Sequence, residues 1–365
     1  MRERPERLHR LPEQYFTSLL ARVAAAATQG GDPLIDLGRG NPEVGPPEHV
    51  VRALAESAAR DDVHGYAPFS GMPALKEAIA TRYSEVYGVH LDATREVAVL
   101  PGTKTGLMEF ALCAVERGGS IVLPDPGYPD YFSAVALAGA KHVPFTDFAV
   151  AADAMYLNFP SNPTAATVPD GLFEEAVHWA ERSEAWVMHD FAYGDLVFDG
   201  RRPQSFLAVD GARRVGIELF SMSKSYGMAG WRLGFALGNA ELVRRIELLQ
   251  DHAFAGIFRP IQEAGIAALT GPQESVEERR ATYERRRDHV VGALAGIELQ
   301  SEGTFFIWFR LPDGISADHL LTEHRVAVAP GEGFGARGAG WARLSLAVGD
   351  EPLDRGLERL RAAFD

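Results

Sequence analysis

The chain has 365 residues, 46% hydrophobic and 24% charged, with Lys+Arg 36 against Asp+Glu 50 and hence a formal net charge of −14. That length suggests about two domains of ~150 residues with a large core, and the acidic balance excludes nucleic acid and anionic membranes as principal partners, because both reward basic patches. The single Cys113 excludes an internal disulfide or a cysteine-rich zinc site and points to a reducing, cytoplasmic compartment.

The opening MRERPERLHR lacks an apolar signal core. Ser18–Ala27 is apolar, but Arg22 interrupts it and it is too short to span a bilayer, so it reads as a first amphipathic helix. Cys113 lies in the helical run GLMEFALCAVERG and reads as a small buried hydrophobe. Seven short apolar or β-branched runs then alternate with helical ones: Glu96–Leu100, Ser120–Leu123, Lys141–Phe145, Met155–Phe159, Ala185–His189, Ile217–Ser221 and Leu233–Leu237. The alternation predicts an α/β fold with a mainly parallel seven-stranded sheet flanked by helices. Residues 46–245 form the expected large domain; residues 1–45 and 246–365 form a smaller α+β domain from both chain ends. Glu274–Ala293 reads as a solvated, charged linking helix, and Thr304–Phe309 and Ala342–Val348 as further strands. His189 and His252 lack metal-ligand spacing and read as core or hydrogen-bonded histidines.

Candidate chemistry falls where strands end, the place where ligands bind such sheets. Gly102, Thr103 and Lys104 follow the first strand and open a helix, whose free amides favour an anion. Tyr128 and Tyr131 follow the second strand; Tyr128 offers a flat face to a ring and Tyr131 reads as core. Asn162 sits in a polar turn, and Asp190 ends the strand AWVMHD, where a buried carboxylate calls for a cation. In FSMSKSYGMAGWRLGFALG, Lys224 stands among apolar neighbours with Ser221, Ser223 and Arg232 close by in sequence. Hydroxyls and a guanidinium suit a phosphate, and a lysine of lowered pKa is a nucleophile toward a carbonyl. A phosphate-bearing aldehyde held by a lysine is pyridoxal phosphate. Arg343, entering an apolar strand, calls for a buried anion.

The segment SMSKSYGMAGWRLGF, with the spacing of Asn162, Asp190 and Tyr193, resembles the class I/II pyridoxal-phosphate-dependent aminotransferases of the aspartate aminotransferase fold group. The resemblance covers nearly the whole chain. It implies that Lys224 carries the cofactor as a Schiff base and moves the substrate proton, that Asp190 pairs with the pyridine nitrogen, and that Asn162 and Tyr193 bond the ring's phenolic oxygen. It further implies phosphate contacts from Gly102, Thr103, Lys104, Ser221, Ser223 and Arg232, a stacking role for Tyr128, and a grip on the substrate carboxylate from Arg343 with Gly40 and Asn162. Tyr66 matches a tyrosine that reaches the phosphate of a neighbouring subunit, which implies a homodimer with shared sites. FPSNPTA, HDFAYGDLVFDG, GIFRPIQEAGIAALTGPQ and VAVAPGEGFG look closest to the bacterial alanine (glutamate–pyruvate) transaminase branch. Two departures stand out: the stretch from Ala140 to Phe159 is short enough to lack an edge helix, and Ser301-Glu-Gly-Thr lacks a proline before its glycine. Ping-pong transfer between an amino acid and a 2-oxo acid is the implied activity. An eliminating lyase on the same scaffold and a non-catalytic sensor are the alternatives, and Arg259 and Lys104 are candidates for a side-chain carboxylate.

Overall fold

The computed structural model describes residues 4–365. Seven strands make one sheet in the order Val97–Leu100, Gly234–Gly238, Gly216–Ser221, Trp186–Asp190, Ala154–Asn158, Ser120–Leu123, Lys141–Pro144. Each end lies within one residue of expectation, and only Gly234–Gly238 runs antiparallel to its neighbours. The strands read as unbroken apolar runs because helices cover both faces. Alternate residues serve the two faces. Val97, Val99, Val122, Met155, Val187 and Phe235 pack with the helices Pro73–Tyr87, Leu172–Ser183 and Arg259–Thr270. Ala98, Leu100, Ile121, Tyr156, Met188 and Leu219 pack with Thr103–Ala114, Asp130–Ala138 and Ala240–Ala253. Cys113 joins that second face, where burial pushes its thiol up to about 11.

A smaller antiparallel sheet joins Ala329–Pro330, Trp341–Ser345, Phe306–Arg310 and Leu299–Gln300, and Ile35–Asp36 pairs in parallel with Val326–Ala327. The helix Tyr15–Ala27 packs Leu19 and Val23 against Trp308 and Phe334 of this region. Ile257, Ala264, Ala268 and Leu269 lie in the core of the large sheet, so packing with that sheet continues past the expected boundary at residue 245. No helix is assigned between Lys141–Pro144 and Ala154–Asn158, as the short spacing there suggests; Phe145, Phe148 and Val150 of the connection pack directly on the core. No helix among the described residues is long and apolar enough to cross a membrane.

The helix Glu274–Ala293 has the expected bounds but not the expected solvation. Arg279, Tyr283, Arg286 and Arg287 are buried on it. Arg279 donates to the Val44 and Gly45 carbonyls at 2.9 and 3.1 Å, Arg286 pairs with Glu43 and Asp350, and Arg287 binds Asp199 at 2.5 Å. Their partners lie far away in sequence. A dense charge run therefore hid a face that clamps the chain after the Gly38–Asn41 loop.

Candidate active site

The carboxyl ends of the parallel strands bring Asn158, Asp190 and Ser221 to one edge of the sheet. Beyond that edge lies a cavity of about 600 Å³. Twelve of the fourteen residues proposed from sequence line it: Gly40, Thr103, Lys104, Tyr128, Asn162, Asp190, Tyr193, Ser221, Ser223, Lys224, Arg232 and Arg343. Gly102 stands just behind. Its φ of +84° suits glycine, and a Cβ there would run into the Arg232 guanidinium. Tyr66 does not reach the cavity of its own chain; it is 88% exposed.

Lys224 donates to the Gly40 carbonyl at 3.0 Å and stands 5.1 Å from the centre of the Phe305 ring. Burial first, then the charges of Arg343 and Arg232, lower its amine to about 8 against the opposing pull of Asp190. An amine in that range is a usable base near neutral pH. Asp190 is buried, which pushes its carboxyl up; Tyr131 counters this by donating to Oδ2 at 2.9 Å, and the Ala192 amide donates to Oδ1 at 3.2 Å. Ser221 caps the turn that carries Lys224 by accepting from the Ser223 amide.

Arg343 is 1% exposed. Its Nη1 donates to Asn162 Oδ1 at 2.7 Å and its Nη2 to the Gly38 carbonyl at 3.2 Å, while Nε has no partner. The guanidinium lies 3.9 Å from the Phe306 ring centre and near Phe334 and Phe16. Among the described residues no carboxylate pairs with it, and burial lowers its pKa. A buried cation with neutral neighbours and an orphaned N–H is set for an anion from outside.

Lys104 and Arg39 also line the cavity, but each faces an acid, Asp130 at 2.9 Å and Asp36 at 2.6 Å. Arg259, the other residue considered for a side-chain carboxylate, pairs with Glu263 and Asp62 outside the cavity.

The family model of the class I and II aminotransferases matches residues 32–360. The chain belongs to that family. It is 42% identical to the L-glutamine–4-(methylsulfanyl)-2-oxobutanoate aminotransferase of Bacillus subtilis, over 97% of this chain and 94% of that one. It is 37% identical to an LL-diaminopimelate aminotransferase of Moorella thermoacetica, over 97% of each. A solved substrate-bound structure of BacF from Bacillus subtilis superposes with a TM-score of 0.92 at 35% identity, covering 100% of this chain and 98% of that one. The first two are named for methylsulfanyl-oxobutanoate and diaminopimelate chemistry, not for the alanine branch suggested by the sequence motifs.

Class I and II aminotransferases depend on pyridoxal phosphate, and this cavity fits that group. A guanidinium, two hydroxyls and a helix start offer a place for the phosphate, Asp190 offers a counter-ion for a protonated ring nitrogen, and Lys224 offers an amine to an aldehyde. The absence of a Cβ at Gly102 leaves Arg232 room beside that helix start.

Sequence reasoning missed the apolar wall beside Arg343. Phe16, Leu19, Leu20 and Val23 of the helix Tyr15–Ala27 line the cavity, with Phe306. The helix pattern was legible, but a helix pattern does not say what its apolar face covers. Tyr131, read as core, touches Asp190; its place three residues after Tyr128, on the first turn of Asp130–Ala138, is the signal that could have found it.

Proposed function

We propose that this aminotransferase moves an amino group between partners with uncharged side chains, at least one of them apolar and of methionine-like size. The observation that carries the reading is the wall of Phe16, Leu19, Leu20 and Val23 in the cavity that holds Arg343. A substrate whose carboxylate meets Arg343 has an apolar surface to bury at about 25 cal/mol per Å². The remaining lining cations, Lys104 and Arg39, already face Asp130 and Asp36, which disfavours a second carboxylate such as glutamate's. The relative named for glutamine and 4-(methylsulfanyl)-2-oxobutanoate supports the same choice, because both of its named partners have uncharged side chains.

When bound, pyridoxal phosphate supplies an electron sink that acidifies the substrate's α-hydrogen. The chain's own residues do the rest. Arg343 and Asn162 orient the substrate so that its Cα–H faces the Lys224 amine, which takes the proton and returns it. Asp190, held by Tyr131 and the Ala192 amide, keeps the ring nitrogen protonated. Tyr193, buried beside Lys224, and Tyr128 would present their rings and hydroxyls to the bound cofactor.

We also propose that the active unit is a homodimer. Exposed Tyr66 is flanked by exposed Phe69, and Phe258 stacks on His64 close by in sequence, an aromatic patch that a second copy would cover. We place the division into domains after the helix Arg259–Thr270, whose core residues belong to the large sheet.

The test is the absorbance of the loaded protein after adding single amino acids. Methionine and glutamine should convert the cofactor to its amine form at lower concentrations than alanine, glutamate or LL-diaminopimelate. Preference for glutamate or diaminopimelate would overturn the uncharged-pair reading, and release of ammonia with pyruvate would mark elimination instead.

A further inference from the structure

His189 and Glu218 have no accessible surface at all, and neither touches the cavity. They lie on adjacent strands, paired in register beneath Asp190 and Leu219. Glu218 accepts from Tyr83 Oη at 2.7 Å and Ser205 Oγ at 2.9 Å on one oxygen, and from the Phe206 amide at 2.8 Å on the other. That second oxygen also meets His189 Nδ1 at 2.7 Å. The far ring nitrogen, Nε2, stands 2.9 Å from the Phe159 carbonyl oxygen and 3.3 Å from the Phe159 amide nitrogen. Phe173 and Phe191 hold the ring from its sides.

A buried polar pair of this kind gives little stability over apolar residues of the same volume, so its use is to fix a geometry. The geometry it fixes is legible. Phe159 begins the bend that leads into the turn opened by Asn162, and Asn162 is the side chain on Arg343. Asn158 steadies the same turn from the other side by accepting the Asn162 amide at 2.7 Å and donating to the Asp190 carbonyl at 2.8 Å.

We propose that His189, oriented by Glu218, is a positioning residue of the active site: by donating from Nε2 to the Phe159 carbonyl it sets the turn that presents Asn162 to Arg343 and to the substrate. The nearer Phe159 partner of Nε2 is a carbonyl, which can only accept, as can the Glu218 carboxylate on Nδ1, so we take both ring nitrogens as donors. His189 acts through the backbone and touches no reacting atom. The proposal rests on the transaminase reading, and part of its test does not.

Two substitutions separate positioning from packing. An asparagine amide falls near the place of Nδ1 and a glutamine amide near that of Nε2. His189→Gln therefore keeps a donor for Phe159 and gives up the Glu218 contact; His189→Asn does the reverse. Positioning predicts that His189→Asn loses up to ~100-fold in kcat/KM, mostly through KM for the carboxylate-bearing substrate, while His189→Gln stays near the parent. A packing role predicts the opposite order, because His189→Asn leaves buried Glu218 its donor; equal losses would also overturn the proposal. The parent protein without cofactor supplies a test independent of activity and of either variant's folding. In nitrogen-15 imidazole spectra, assigned by the loss of the signal in either variant or by its contact to the Phe159 amide, Nε2 of His189 should carry a proton. An unprotonated Nε2 that accepts from the Phe159 amide would sink the proposal, whatever the enzyme's substrate.

Discussion

Arg82 and Arg343 are both almost fully buried, at 7% and 1% exposed, and their surroundings differ in one respect. Arg82 binds Asp195 at 2.8 Å and Gln273 at 3.0 Å, with Tyr87 donating to the same carboxylate oxygen and Tyr226 under the guanidinium. Arg343 has an amide oxygen, a carbonyl and three aromatic rings, but no acid among the described residues. Arg286 and Arg287 follow the pattern of Arg82, each with carboxylate partners. Around one scaffold, then, a buried arginine that meets a carboxylate, as Arg82 does, or chain carbonyls, as Arg279 does, holds elements together. Arg343 has no carboxylate among the described residues either, but it lines the cavity beside a lysine lowered to about 8, and it is there that we propose a ligand supplies the charge.

The contrast can be broken from either side. The largest effect belongs to Lys224: replacing it with alanine should take transamination below detection, because the amine that moves the proton is gone, while Arg343 and the apolar wall remain; near-parental turnover by that variant would remove Lys224 from the mechanism. Next comes Arg82→Met, which leaves Asp195 buried without its cation and should cost about 3–5 kcal/mol in denaturant unfolding with little change in KM. A large KM effect with unchanged stability would mean that the two arginines are not opposites after all.

A smaller effect tests the same logic with an acid. Glu109 is buried with only the Gln250 amide at 3.1 Å, and burial raises its carboxyl to about 7. A raised carboxyl contributes stability below its ordinary pKa and loses it as pH rises through 7. Glu109→Gln should therefore be stabilising by about 1–3 kcal/mol at pH 8 and nearly neutral at pH 4.5. Unfolding curves at the two pH values check the sign.

How much of this was legible in the sequence follows from how local each signal is. The seven strands and the residues at their ends were readable, because an apolar run, its turn and the side chain that follows lie within a few residues of one another. Arg343 was readable for the same reason: a charge inside WARLSLA has no local excuse. The arginines of Glu274–Ala293 were not, since Glu43, Asp199 and Asp350 lie at least 63 residues away and every one looks like a surface acid. Nor was the apolar wall, whose residues 16–23 meet the cavity only after the helix Tyr15–Ala27 packs on Trp308 and Phe334. Tyr66, expected to reach a neighbouring subunit, lines no part of its own chain's cavity; its exposure is what a second copy would have to cover.

Arg343 is the proposed seat of the substrate carboxylate. The most direct measurement is the concentration dependence of the first half-reaction in Arg343→Met, followed by the absorbance of the bound cofactor with methionine as donor. Loss of a charge-assisted pair should lower kcat/KM by roughly 10²–10³-fold, largely through loss of saturation, with cofactor affinity unchanged. A variant that still saturates at the parent's methionine concentrations would contradict that assignment, and the missing counter-ion would then need another explanation.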